Sequence, residues 1–73
     1  MKLYRTKNYY ENPVLVGNYN TRKECGAAMI SDIEARQQHS YYTRHWFDED
    51  GREIVDYGSY SIFYVITEEN NKL

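Results

Sequence analysis

The sequence predicts an α+β domain in which one amphipathic helix packs on a mostly antiparallel sheet of four or five strands, in the order β-β-α-β-β-β. Three observations carry this expectation. The stretch "TRKE", residues 21–24, is a helix-capping signature followed by apolar residues at three- and four-residue steps. Segments rich in β-branched and aromatic residues flank it on both sides. The later of these segments is punctuated by Asp50-Gly51 and Gly58-Ser59, pairs that suit tight turns. With 73 residues, the chain is too short to divide into two units that each bury a core. Residues 1–73 are therefore read as one small domain.

Each element has its own local reason. "LYRTKNYY", Leu3 to Tyr10, alternates loosely between larger and polar side chains and reads as a first strand. "ENP" should break it, because Pro13 lacks an N–H and biases Asn12 toward extended geometry. "VLVGNY" then forms a second strand able to pair with the first as a hairpin. Thr21 caps a helix that starts at Arg22 and runs to about Gln38, with Cys25, Gly26, Met29, Ile30 and Ile33 as its apolar stripe.

From Tyr41 the pattern changes to strands. A two-residue type I′ turn at Asp50-Gly51 would set Phe47 opposite Ile54, Trp46 opposite Val55, His45 opposite Asp56 and Arg44 opposite Tyr57. Gly58-Ser59 offers either a bulge within one long strand or, the favoured reading, a second tight turn that would pair Ile62 with Val55 and Phe63 with Ile54. "EENNKL" is a polar tail.

That register sorts the side chains into two faces. Phe47, Ile54, Phe63 and Val65 are expected beneath the helix, against Met29, Ile30 and Ile33. The other face would carry Tyr42, Arg44, Trp46, Val55, Tyr57, Tyr60, Ile62 and Tyr64, an aromatic patch larger than monomers usually leave in water. A reversed assignment, with the aromatic side as core, is the alternative. Nine tyrosines suit both a pleated sheet surface and an interface, since the ring is amphipathic and loses little entropy when fixed.

The composition narrows the function classes. One cysteine, Cys25, excludes an internal disulfide and points to a reducing compartment, so a cytoplasmic protein is expected. "MKLYRTKNYY" has no apolar core of a signal peptide, and no window approaches the ~20 apolar residues of a membrane span. The formal charge of −2 gathers neither nucleic acid nor anionic lipid. His45 and Asp56, facing each other in the expected hairpin, would form a cross-strand polar pair; no nucleophile is spaced to work with them. Cys25 reads as a small core residue. "DEDG" with Glu53 fails the calcium-loop spacing, and His39 with His45 lacks the further ligands of a zinc site. No phosphate loop, dinucleotide fingerprint or nucleophile elbow occurs, so no cofactor, metal, small-molecule substrate or catalytic residue is predicted, and an enzyme is not expected.

The small size, the Tyr, Asn and Glu richness and the ribbon "WFDEDGREIVDYGSYSIFYVI" give the chain a likeness of style to small prophage-encoded orphan proteins of Bacillus and related bacteria, of the SPbeta kind. The resemblance implies no site residue. It implies only that such proteins sometimes bind and block a host protein. The expectation is thus a protein-interaction module using the eight-residue patch, a homodimer first and otherwise a binder of another protein such as a host protein. Single-stranded nucleic-acid binding by the same rings is the alternative.

Overall fold

The computed structural model describes residues 1–39, 43–71 and 73. It contains β1 (Lys2–Lys7), β2 (Glu11–Asn18), α1 (Arg22–Ala35), β3 (Arg44–Phe47), β4 (Glu53–Asp56) and β5 (Ile62–Thr67). The five strands form one sheet in the order β2-β1-β5-β4-β3, and all four neighbouring pairs are antiparallel. The fold is therefore the expected α+β arrangement. The predicted beginning of the third strand, Tyr41 and Tyr42, lies outside the described residues. No described helix is long and apolar enough to cross a membrane.

Helix α1 begins where its cap predicts. The Thr21 hydroxyl oxygen accepts from the Glu24 backbone N–H at 3.1 Å, and the Glu24 carboxylate accepts in return from the Thr21 N–H at 3.1 Å. It ends at Ala35 rather than near Gln38. Gln37 takes a left-handed conformation, φ 57°. Its N–H donates to Glu34 O and the Gln38 N–H to Ile33 O, which is the paired-bond stop that glycine usually makes. The buried stripe is Cys25, Met29 and Ile33. Ile30 departs from the expected stripe, being 41% exposed.

Pro13 does not break the chain but sits inside β2. β2 is an edge strand paired only with β1, so a missing N–H is tolerated there. The pairing of β1 with β2 carries register shifts between Leu3 and Tyr4 and between Arg5 and Lys7, and Asn12 has φ 49°.

The β3–β4 hairpin differs from the expected one by a single residue. Arg44 pairs with Asp56, His45 with Val55, Trp46 with Ile54 and Phe47 with Glu53. The turn has three residues, not two. The Asp48 N–H donates to Arg52 O and the Gly51 N–H to Asp48 O, with Gly51 at φ 80°. A type I turn closed by a left-handed glycine has this pattern. The Asp48 carboxylate holds it by accepting from the Asp50 and Arg52 N–H groups, each at 2.9 Å. In the β4–β5 connection no two-residue turn forms either. Ile54 pairs with Val65 and Val55 with Tyr64, two residues from the expected register. A slip of one flips every side chain to the other face, whereas a slip of two keeps it.

Against the expectation, the helix covers the face of Val55, Tyr57, Tyr64 and Ile66, which with Leu3, Cys25, Met29 and Ile33 form the main core. Ile54, Phe63 and Val65 form a second, smaller core on the opposite face, with Tyr4 and Leu73 packed beside them. Phe47, expected in the core, is 57% exposed.

Candidate interaction surface

Both faces of the sheet are closed by the chain itself, by different means. On the helix side, Tyr57 and Tyr64 are fully buried, and their rings lie 5.5 Å apart. Their hydroxyls are satisfied, as buried phenols require. Tyr57 donates to Gln38 Oε1 at 2.6 Å, and Tyr64 donates to Asp32 Oδ2. Arg5 grips the same carboxylate through one nitrogen at 2.9 and 3.1 Å. Burial pushes Asp32 up, but the hydrogen bonds from Tyr64 and Arg5, together with the Arg5 charge, outweigh it and hold the carboxyl below its ordinary range. Burial first, and then the Asp32 carboxylate, push the Tyr64 phenol well above its ordinary value.

On the other face a lid made by the β1–β2 turn replaces a helix. Asn8 and Tyr9 both have positive φ, 49° and 77°, which an aromatic residue adopts only under constraint. The constraint is visible. The Asn8 N–H donates to Ser61 O at 2.7 Å, and the Thr6 hydroxyl donates to Tyr9 O at 2.7 Å. The turn thereby stacks the Tyr9 ring on Phe63 at 4.6 Å. Trp46 meets Tyr9 edge-on at 6.2 Å. Tyr10 donates to Asp48 Oδ2 at 2.8 Å, with Arg52 5.1 Å over its ring. The Asn71 amide donates to Asp50 O, and Leu73 packs against the small core. Ile54 and Val65 are completely buried as a result.

The eight residues expected on one binding face are consequently dispersed. Val55, Tyr57 and Tyr64 belong to the helix-side core, at 4%, 1% and 0% exposure, and Ile62 is half-buried against it. Side chains so enclosed have no surface to offer a partner. Tyr60 is fully exposed, in the β4–β5 connection. Tyr42 lies outside the described residues. Arg44 and Trp46 stay together on the lid side of β3. The expected His45–Asp56 pair does not form. Asp56 binds Arg44 at 2.8 Å, and His45 Nδ1 lies 3.1 Å from Glu53, because the hairpin slipped by one. Cys25 is wholly buried, and burial pushes its thiol above the ordinary value.

What remains open is the β3 edge. All four residues of β3 are exposed, and beyond it no strand pairs among the described residues. Trp46 stands on its lid side, 37% exposed, and Phe47 on its helix side. Phe47 was not foreseen as a surface residue. Arg22 lies 5.0 Å over its ring while its guanidinium binds Glu53 at 2.8 Å. Beside them runs an open groove of about 440 Å³, bounded by Gly26, Met29, His45, Phe47, Val55 and Ile66. The contrast with the other sheet edge is physical. β2 is bulged twice and carries Pro13, devices that keep a foreign strand away, whereas β3 is regular and has neither.

Comparison with protein-family models, with curated proteins and with solved structures finds no match to this chain.

Proposed function

We propose that the protein is a small interaction module that recognises another protein along the outer edge of β3, by surface complementarity rather than by catalysis. The observation that supports this most is the asymmetry of the sheet: one edge carries Pro13 and bulges, and the other has a regular register and is bordered by exposed Trp46 and Phe47. An extended segment pairing with β3 gains main-chain hydrogen bonds, while the two rings, one on each face, grip its alternate side chains. Trp and Arg are the side chains most often found where binding energy concentrates, and Trp46 adjoins Arg44 on one face. Cytoplasmic residence is part of the proposal, supported by a single cysteine, Cys25, buried in the core and in no disulfide. The likeness to prophage proteins supports a host protein as the partner.

The test uses the intact chain and a Trp46→Ala/Phe47→Ala variant as parallel baits in a host lysate, followed by binding measurements on any protein retained. Loss of the two rings should weaken binding by roughly tenfold or more, and amide exchange should slow along β3 in the complex. A partner held equally by both baits, with β3 amides unprotected, contradicts the proposal.

A further inference from the structure

Helix α1 has a second ordered face. Lys23, Ala27, Ile30 and Glu34 are all exposed, and their spacing of four, three and four residues places them in one line on the side away from Cys25, Met29 and Ile33. The line is apolar in the middle, where Ile30 is 41% exposed beside Ala27. It is charged with opposite signs at its two ends. Among the described residues neither Lys23 nor Glu34 has an ion-pair partner within the chain.

A line of this composition is complementary to itself reversed. Turned end for end about the midpoint between Ala27 and Ile30, it sets Ile30 against an alanine, Ala27 against an isoleucine, and each end charge against its opposite. A heteromeric partner would have to supply that pattern; a second copy already has it. We infer that two copies of this chain associate through α1, antiparallel about a twofold axis, with Lys23 facing the partner's Glu34, Glu34 facing the partner's Lys23, and Ile30 packed on the partner's Ala27. Such an interface is isologous, so every contact occurs twice. The small Ala27 and the neighbouring Gly26 allow the helix axes to approach at the close end of the usual 8–10 Å range. The four-three-four spacing keeps the seam in register, as in a short antiparallel coiled coil. The contact is small, so the association is weak and is measured at high concentration. Lys23 and Gly26 also border the groove beside Phe47, so the two surfaces adjoin at that end, but the inference does not rest on the β3 proposal.

The experiment is sedimentation equilibrium of the intact chain up to about 1 mM, the concentration range in which weak self-association is read. It is repeated with Lys23→Glu, Glu34→Lys and the double reversal. Circular dichroism confirms that each variant keeps the fold, as exposed positions should. The wild type should show a monomer–dimer equilibrium. Each single reversal turns two attractive pairs into two repulsive ones and should weaken it by about tenfold or more. The double reversal should restore it to within about threefold, since the opposed signs return. A wild type that stays monomeric overturns the inference. So does a double variant no better than the singles, or a dimer that ignores the charge reversals and is lost in Trp46→Ala, which would place self-association at β3.

Discussion

The two faces of the sheet are closed by opposite strategies. The helix side has a continuous core in which two tyrosines, Tyr57 and Tyr64, are buried with their hydroxyls held by Gln38 and Asp32. The lid side has three buried apolar residues, Ile54, Phe63 and Val65, under rings that remain half in water, with Tyr9 at 49% and Tyr10 at 43% exposure. One 14-residue helix cannot shield both sides of a five-stranded sheet. Here the difference is made up by a turn held in a left-handed conformation and by Leu73, rather than by a second molecule. The lesson concerns where a partner belongs. Once both faces are closed from within, the exposed rings outside the lid and the Tyr60 connection, Trp46 and Phe47, lie along β3.

The comparison predicts unequal costs of truncation. Ile33→Ala, which empties a fully buried site beneath the helix, should destabilise the fold by about 3 kcal/mol in denaturant unfolding. Asp32→Asn should cost about 2 kcal/mol, because Arg5 and Tyr64 keep their positions but lose the charge they share. It should also flatten the acid limb of stability. The carboxyls of Asp32 and Asp48 are both held below their ordinary range in the folded chain, so the unfolded chain takes up protons first. Their stabilisation is fully present above about pH 4, the ordinary carboxylate value, and disappears as pH falls through the depressed folded values. An acid limb of equal slope in Asp32→Asn would remove Asp32 from that role. Tyr9→Ala, on the lid side, should cost only about 1 kcal/mol, since half the ring is already in water. A cost equal to that of Ile33→Ala would show the lid to be as integral as the helix.

Local signals in the sequence were reliable where the physics is local. The reciprocal bonds of Thr21 and Glu24 follow from their spacing alone, and α1 starts where they place it. The element order was legible for the same reason. Register was not. Asp50-Gly51 fits a two-residue turn on conformational grounds, but the Asp48 carboxylate, by capping Asp50 and Arg52, selects a three-residue turn, and that single step sets Trp46 opposite Ile54 and Phe47 opposite Glu53 in place of the partners expected. The choice of covered face was also hidden, since "IV" at 54–55 and "IFYVI" at 62–66 are apolar on both sides and periodicity cannot rank them. The lid was invisible for a further reason. Tyr9 stacking on Phe63 depends on a backbone turn fixed by Ser61, far away in sequence.

The most direct measurement is the effect of a soluble paramagnetic probe on side-chain proton relaxation in the dilute, monomeric protein. If the chain closes its own lid face, the methyl groups of Ile54 and Val65 will be shielded as fully as those of Ile33, while the rings of Phe47 and Trp46 relax strongly. Strong relaxation at Ile54 and Val65 would contradict the account, for it would mean that this face stands open until another molecule covers it.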